Sequence, residues 1–159
     1  MENLVENISK LVAIELLFEE MPTRPTANAI FREARKIFGD INIINRDEND
    51  IEFSVDKFVA YNGDNTTSPV VLAMGNITDF DDKVAVSEFE RTQIWNVANS
   101  EELLSKYKYA VKIWDVNAQR QIPKERAIML VDWLNVALKL YPKCQAIWIK
   151  SAGKLQLAQ

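Results

Sequence analysis

The chain has 159 residues, of which 48% are apolar and 26% charged, and its formal net charge is −4. These values are typical of one globular domain, 1–159, and the acidic balance disfavours binding to nucleic acid or to an anionic membrane. The sequence has no histidine and one cysteine, Cys144, which excludes histidine-dependent catalytic triads, histidine zinc sites and internal disulfides.

The first third of the chain predicts a strand, a helix and a hairpin. The apolar run LVAIELLF (11–18) is typical of a buried strand, and Thr23 is a candidate N-cap for the helix that follows. That helix, ANAIFREARKIF, has its apolar residues on one stripe and stops at Gly39. INIIN (41–45) and IEFSV (51–55) flank a polar turn and predict a hairpin.

The middle of the chain predicts one strand and two helices. PVVLAMG (69–75) is typical of a strand, and NITDFDD (76–82) is typical of a loop. A helix that begins near Val86 is predicted to contain the segment FERTQIWNVA. SEELLSKY (100–107) predicts a second, shorter helix with a serine cap.

The last third predicts a strand (109–116), the longest helix, which starts at Pro123, and two strands (145–150 and 154–158) around the turn SAG. The polar residues of the long helix fall on a narrow stripe, which predicts that most of its circumference is buried. The residues of this stripe are Glu125, Asp132, Asn135 and Lys139.

The order strand, helix, strand, strand occurs at 11–61 and again at 109–158. This repeated order of elements indicates two βαββ half-repeats that share one mainly antiparallel sheet. We therefore predict an α+β fold with the helices packed on one face of the sheet.

The central segment FERTQIWNVA allows two interpretations. In the functional one, Glu88, Glu90, Arg91 and Trp95 surround a binding groove, where the planar guanidinium of Arg91 grips a carboxylate or a phosphate. In the structural one, Phe89 and Trp95 pack a helix against the edge of the sheet. The segment is the candidate binding site of the chain.

Three acidic residues form a candidate metal site, because hard cations bind several carboxylate oxygens on a flexible loop. They are Asp79, Asp81 and Asp82. The spacing is not that of an EF-hand, and a solvated acidic loop is the competing interpretation.

Other motifs are weaker. Basic and aromatic residues mix at 106–114, but strand alternation places Tyr109 and Trp114 on opposite faces, which disfavours base stacking. The chain has neither a P-loop nor a GxGxxG motif, so no cofactor is predicted. Cys144 is expected to be a small buried apolar residue.

Five segments taken together resemble a bacterial family of domains of unknown function. They are LLFEE (16–20), ERTQIWNVA (90–98), the strand YAVKIWDV, the long apolar helix and AIWIKSAGKL (146–155). Many members have a second aromatic residue where this chain has Val97. The resemblance implies an α+β protein and no particular activity, cofactor or catalytic residue.

We predict a non-catalytic cytoplasmic domain that binds another protein or itself, with a regulatory or immunity-type role. The cytoplasmic prediction follows from the start, MENLVENISKLVAIELLFEE, which has no basic n-region, carries Glu2 and Glu6, and has an apolar run too short to span a bilayer. One alternative is a carboxylate-based enzyme that uses a divalent metal. It predicts a concave pocket that gathers the candidate acids with Arg91. A structural homo-oligomer is the other alternative.

Overall fold

The computed structural model describes residues 13–47, 49–94, 97–116 and 121–158. Within these ranges the chain forms five α-helices and an eight-stranded antiparallel sheet, so the α+β prediction is confirmed. The strands are β1 (Ala13–Phe18), β2 (Ile41–Arg46), β3 (Asp50–Tyr61), β4 (Thr67–Gly75), β5 (Thr78–Asp79), β6 (Tyr109–Val116), β7 (Ala146–Ile149) and β8 (Lys154–Leu157). The helices are α1 (Ala27–Phe38), α2 (Asp82–Ala85), α3 (Glu88–Gln93), α4 (Ser100–Lys106) and α5 (Pro123–Leu140), and a 3₁₀ turn spans Lys150–Ala152.

The sheet is built around the first strands of the two predicted half-repeats. Its strand order is β2-β3-β4-β6-β1-β7-β8, and the short β5 pairs with β6. Strands β1 and β6 pair antiparallel in the middle, from Ala13 opposite Trp114 to Phe18 opposite Tyr109. The order βαββ is present in both halves, as β1-α1-β2-β3 and as β6-α5-β7-β8. The hairpin β2–β3 of the first half lies on the β6 side of the sheet, with β4 inserted between β3 and β6. The hairpin β7–β8 of the second half lies next to β1.

The two long helices cover one face of the sheet, as predicted. Alternate residues of β1, Leu16 and Phe18, point into this core, because side chains alternate between the faces of a strand. Helix α1 buries one stripe against them, and α5 buries another. These stripes are Ile30, Phe31, Ala34 and Phe38 in α1 and Met129, Trp133, Val136 and Ala137 in α5.

The opposite face of the sheet carries a second, smaller core that the sequence did not predict. Leu17 and Trp148 of the sheet pack there with Val86, Ile94 and Leu104. These last three residues come from the short segments α2, α3 and α4 and from the turns between them. The short helices therefore form a third layer, which carries the candidate binding segment.

Two predicted helix N-caps were wrong. The N-cap of α1 is Thr26, not Thr23, and its Oγ1 accepts a hydrogen bond from the Ala29 N–H at 3.1 Å. Because the cap must bond an N–H three residues ahead, it has to stand directly before the first helical residue. The N-cap of α4 is Asn99 without a side-chain bond, and Ser100 is already helical. The predicted stop at Gly39 is confirmed, with φ of 74°.

The long helix α5 is buried on one side only, so the prediction of burial around most of its circumference was wrong. The sheet and α1 pack against the side of α5 that contains Met129 and Trp133. The side that faces away from both leaves Ile128 and Val131 exposed. A residue pattern alone does not reveal how many neighbours a helix has, and a mostly apolar helix can still lie at the surface.

Candidate functional site

The helix predicted from near Val86 is the short helix α3, which ends at Gln93, and a further short helix, α2, precedes it; each of the two begins at a side-chain cap. Asp81 caps α2 by accepting a hydrogen bond from the Lys83 N–H at 3.1 Å. Ser87 and Glu90 form a reciprocal capping box at the start of α3, with bonds of 3.1 and 3.0 Å. This S-x-x-E pattern places the start of α3 at Glu88.

These two helices and the start of α4 enclose an open groove with a volume of about 680 Å³. Its lining is mostly polar, with Val86 as its apolar member. The polar residues that line it are Asp82, Lys83, Ser87, Glu88, Arg91, Thr92 and Glu101. Of the predicted binding residues, Glu88 and Arg91 therefore meet in one groove, together with Asp82 from the predicted metal site.

The guanidinium of Arg91 is committed to a neighbour within the chain. Its Nη2 donates to the Asp82 carboxylate at 3.0 Å and to the Asp82 carbonyl oxygen at 2.7 Å. The two side chains are only 18% and 16% exposed. Arg91 thus joins α3 to α2 and shapes the groove, a structural task that the sequence-based hypothesis did not assign to it.

The other predicted residues lie apart from the groove lining. Glu90 forms the capping box and lies 3.8 Å from the Lys150 ammonium. Asp79 is exposed in β5, and Asp81 is engaged as the cap of α2. Trp95 lies outside the described residues. Among the residues that the structure describes, no three potential metal-ligating side chains of histidine, cysteine, aspartate or glutamate converge.

Two apolar residues on the groove-forming helices are the feature that sequence reasoning missed. The side chain of Val84 in α2 is 83% exposed and that of Phe89 in α3 is 72% exposed. The packing interpretation of Phe89 was therefore wrong. A signal was present, because the helical neighbours of Phe89 at i+3 and i+4 are the polar Thr92 and Gln93, so no apolar stripe continues from it.

We call this region the α2–α3 surface: the groove together with Val84 and Phe89. Val84 and Phe89 are exposed, whereas their chain neighbours Val86 and Ile94 are buried in the second core. Exposed apolar side chains that are anchored on a rigid base are typical of binding surfaces.

Replacing Arg91 with alanine should destabilise the α2–α3 layer. The change removes two charge-assisted hydrogen bonds and leaves a half-buried Asp82 carboxylate without its partner, so we expect a loss of about 1–2 kcal/mol in unfolding free energy. Urea denaturation checks this. Arg91→Lys is the matched control and should recover part of the loss; an unchanged midpoint for Arg91→Ala would contradict the bracing role.

A second group of charged residues lies on the same face of the sheet. Burial raises the pKa of the Glu15 carboxyl, Lys112 and Lys150 oppose that rise, and Glu90 adds to it. Glu15 stands opposite Lys112 in the register of β1 and β6. A carboxyl with a raised pKa is suited to general acid chemistry. Glu15 does not line the groove, so it does not form one site with Glu88 and Arg91.

A second groove of about 570 Å³ lies at the end of α5, and it contains Tyr141 and Cys144. Burial raises the pKa of Tyr141 to about 12 and that of Cys144 to about 11. The thiol donates to the Ala146 carbonyl oxygen at 3.2 Å. Since the thiolate is the nucleophile, the raised pKa of Cys144 disfavours a nucleophilic role, and the prediction of a buried cysteine is confirmed.

Comparison with protein-family models, with curated proteins and with solved structures finds no match to this chain. The resemblance to a bacterial domain family therefore stays a prediction. In the described part of the chain, none of the helices has both the length and the apolar composition of a membrane span.

Proposed function

We propose that this protein is a non-catalytic, cytoplasmic binding domain that recognises another protein through the α2–α3 surface. The observation that carries the proposal is the exposure of Val84 and Phe89 on the two helices that form the groove. A valine and a phenylalanine left in water gain about 1.5–3 kcal/mol each when a partner buries them. A regulatory or immunity-type role is consistent with a domain that acts by binding to the surface of a partner protein.

Binding through the face is better supported than pairing at a strand edge. The edge strand β2 has a bulge between Ile43 and Asn45, and bulges disturb the regular backbone ladder that strand addition needs. The other edge strand, β8, has four residues. Binding through the side chains of the α2–α3 surface does not need a regular backbone ladder.

The carboxylate-enzyme alternative has weaker support. Glu88 and Arg91 do meet in the groove, but Asp79, Asp81 and Glu90 do not line it. The groove is shallow and open, whereas reactions that need activated carboxylates are favoured by enclosed sites. The commitment of Arg91 to Asp82 also removes its most suitable donor from substrate binding.

The test is affinity capture with a matched pair of variants. The tagged protein, Phe89→Ser and Val131→Ser are incubated with a lysate of the source organism, and captured proteins are identified by mass spectrometry. Val131 is a suitable control because it is 56% exposed and lies on α5. We expect a stoichiometric partner that is held by the parent and by Val131→Ser and is lost by Phe89→Ser.

The identified partner is then purified and its affinity measured directly. Removal of a central aromatic anchor should weaken binding by about 30-fold or more. A partner lost only with Val131→Ser would place binding on α5 and overturn the proposal. Capture of the untagged chain itself, with a doubled mass in light scattering, would favour the homo-oligomer alternative.

A further inference from the structure

We propose that the partner of the α2–α3 surface is a basic protein segment, in which lysine or arginine side chains flank an apolar contact. This inference rests on the function proposed above and assigns the chemistry of the partner. It is argued from the distribution of charge around Val84 and Phe89, together with the geometry of the groove.

The acidity of the chain is concentrated at this surface. Between Asp79 and Glu102 there are seven acidic and two basic residues, a net charge of −5, while the whole chain carries −4. The remainder of the chain therefore has a net charge of +1. Counted along the chain, the excess of negative charge therefore falls on the segment that carries the candidate site.

Most of these acids have no cation to balance them. Asp82 is paired with Arg91, and Glu90 lies near Lys150. The other five are exposed, and none of them forms a salt bridge within the described residues. They are Asp79, Asp81, Glu88, Glu101 and Glu102. Lys83 is exposed and lines the groove, and Lys106 stands at the far end of α4.

The acids and the exposed apolar residues lie on the same short elements. Val84 follows Asp81 and Asp82 in α2, and Phe89 stands next to Glu88 in α3. Glu88 and Glu101 line the groove from α3 and α4. Exposed apolar side chains and exposed acids therefore lie on the same short helices, so that the acids select and steer a cationic partner while the apolar residues supply affinity.

The same charge distribution argues against a second copy of this chain as the occupant. An isologous contact would place two surfaces of charge −5 against each other, and like charges across an interface are costly. An anionic partner, such as nucleic acid or a phosphorylated peptide, would meet the same repulsion.

The test is selection of a random peptide library displayed on phage against the full chain, with the Phe89→Ser variant used for counter-selection. Enriched peptides are synthesised and their affinities measured at low and high salt. We expect enriched peptides rich in lysine and arginine around an apolar residue. Their Kd should rise about tenfold when NaCl is raised from about 50 to about 500 mM.

Two double variants that remove the same amount of charge test whether the acids of the groove are the ones that attract the peptides. Glu88→Gln/Glu101→Gln should weaken the selected peptides several-fold at low salt. Asp40→Asn/Asp56→Asn removes two exposed acids elsewhere and should leave their affinity within about twofold. Thermal unfolding of both double variants verifies that the fold is retained.

The outcomes separate the two proposals. Peptides that are neutral or acidic, yet still depend on Phe89, would overturn the basic-partner inference and leave the binding function in place. Two outcomes would count against both the binding function and the basic partner. One is that the selected peptides bind the parent and Phe89→Ser equally well, and the other is that no peptide is enriched on the parent over Phe89→Ser. Equal weakening by the two double variants would show a general charge effect and would likewise overturn the inference.

Discussion

Replacing Arg126 with methionine should lower the free energy of unfolding by about 3–5 kcal/mol, because it leaves the buried carboxylate of Asp115 without its charge partner. Arg126 in α5 binds Asp115 in β6 through two bonds, Nε to Oδ2 at 2.7 Å and Nη2 to Oδ1 at 2.9 Å. The Asp115 side chain is 1% exposed. Water therefore cannot replace the missing donors without opening the core.

A double-mutant cycle in urea measures this coupling. Asp115→Leu alone should also be strongly destabilising, since it leaves the Arg126 guanidinium in the core without that carboxylate. The double variant Asp115→Leu/Arg126→Met removes both charges and should be much closer to the parent than the sum of the single losses. Additive losses would mean that the pair is not coupled, and a loss below about 1 kcal/mol for Arg126→Met would contradict burial of the pair.

The sequence could predict those elements whose signals are local. Helix α1 was placed over its full length because its apolar stripe is regular and Gly39 ends it with a positive φ. The strands β3, β6 and β7 followed from apolar runs bounded by turn residues. In each of these cases the residues that decide the structure are neighbours in the chain.

Features that depend on contacts between distant elements could not be predicted in this way. The Asp115–Arg126 pair has no local signature, since each residue looks like an ordinary charge within its own element. Helices α3 and α4 were predicted, but the layer that they form with α2 on the second face of the sheet was missed, because helices of four to seven residues are too short to show a periodic stripe.

The candidate site was predicted in part. Glu88 and Arg91 do line one groove, but the role of Arg91 changed from a free anchor to a brace on Asp82. The acids at 79–82 are spread over a strand, a cap and an ion pair instead of one cation site. In the structural interpretation Phe89 packed a helix against the edge of the sheet, but its side chain is exposed, since the short helix α3 buries none of its own residues.

Replacing Trp133 with alanine is expected to be the most destabilising single truncation in the main core, with a loss of about 3–5 kcal/mol. Trp133 is fully buried on α5, and its ring meets that of Phe53 edge to face at a centroid distance of 5.2 Å. Phe53 in turn contacts Phe31 and Phe38 of α1. The indole therefore connects both long helices to β3, and its removal leaves a large cavity between layers.

The indole also makes a specific polar contact. Its Nε1 donates to the carbonyl oxygen of Ala73 in β4 at 3.0 Å, in a buried environment. Trp133→Phe keeps much of the ring volume but loses this bond, so we expect an intermediate loss of about 1–2 kcal/mol. Comparing the two variants by urea denaturation separates the packing contribution from that of the hydrogen bond.

The matched control is Phe89→Ser, which truncates an aromatic residue that is 72% exposed. Its unfolding free energy should stay within about 0.5 kcal/mol of the parent, as is usual for surface substitutions. That result would separate the two aromatic residues: Trp133 would be needed for stability, and Phe89 would be free for the binding role that we propose. If Phe89→Ser were as destabilising as Trp133→Ala, Phe89 would belong to the core, and the surface that we assign to the partner would lose its central residue.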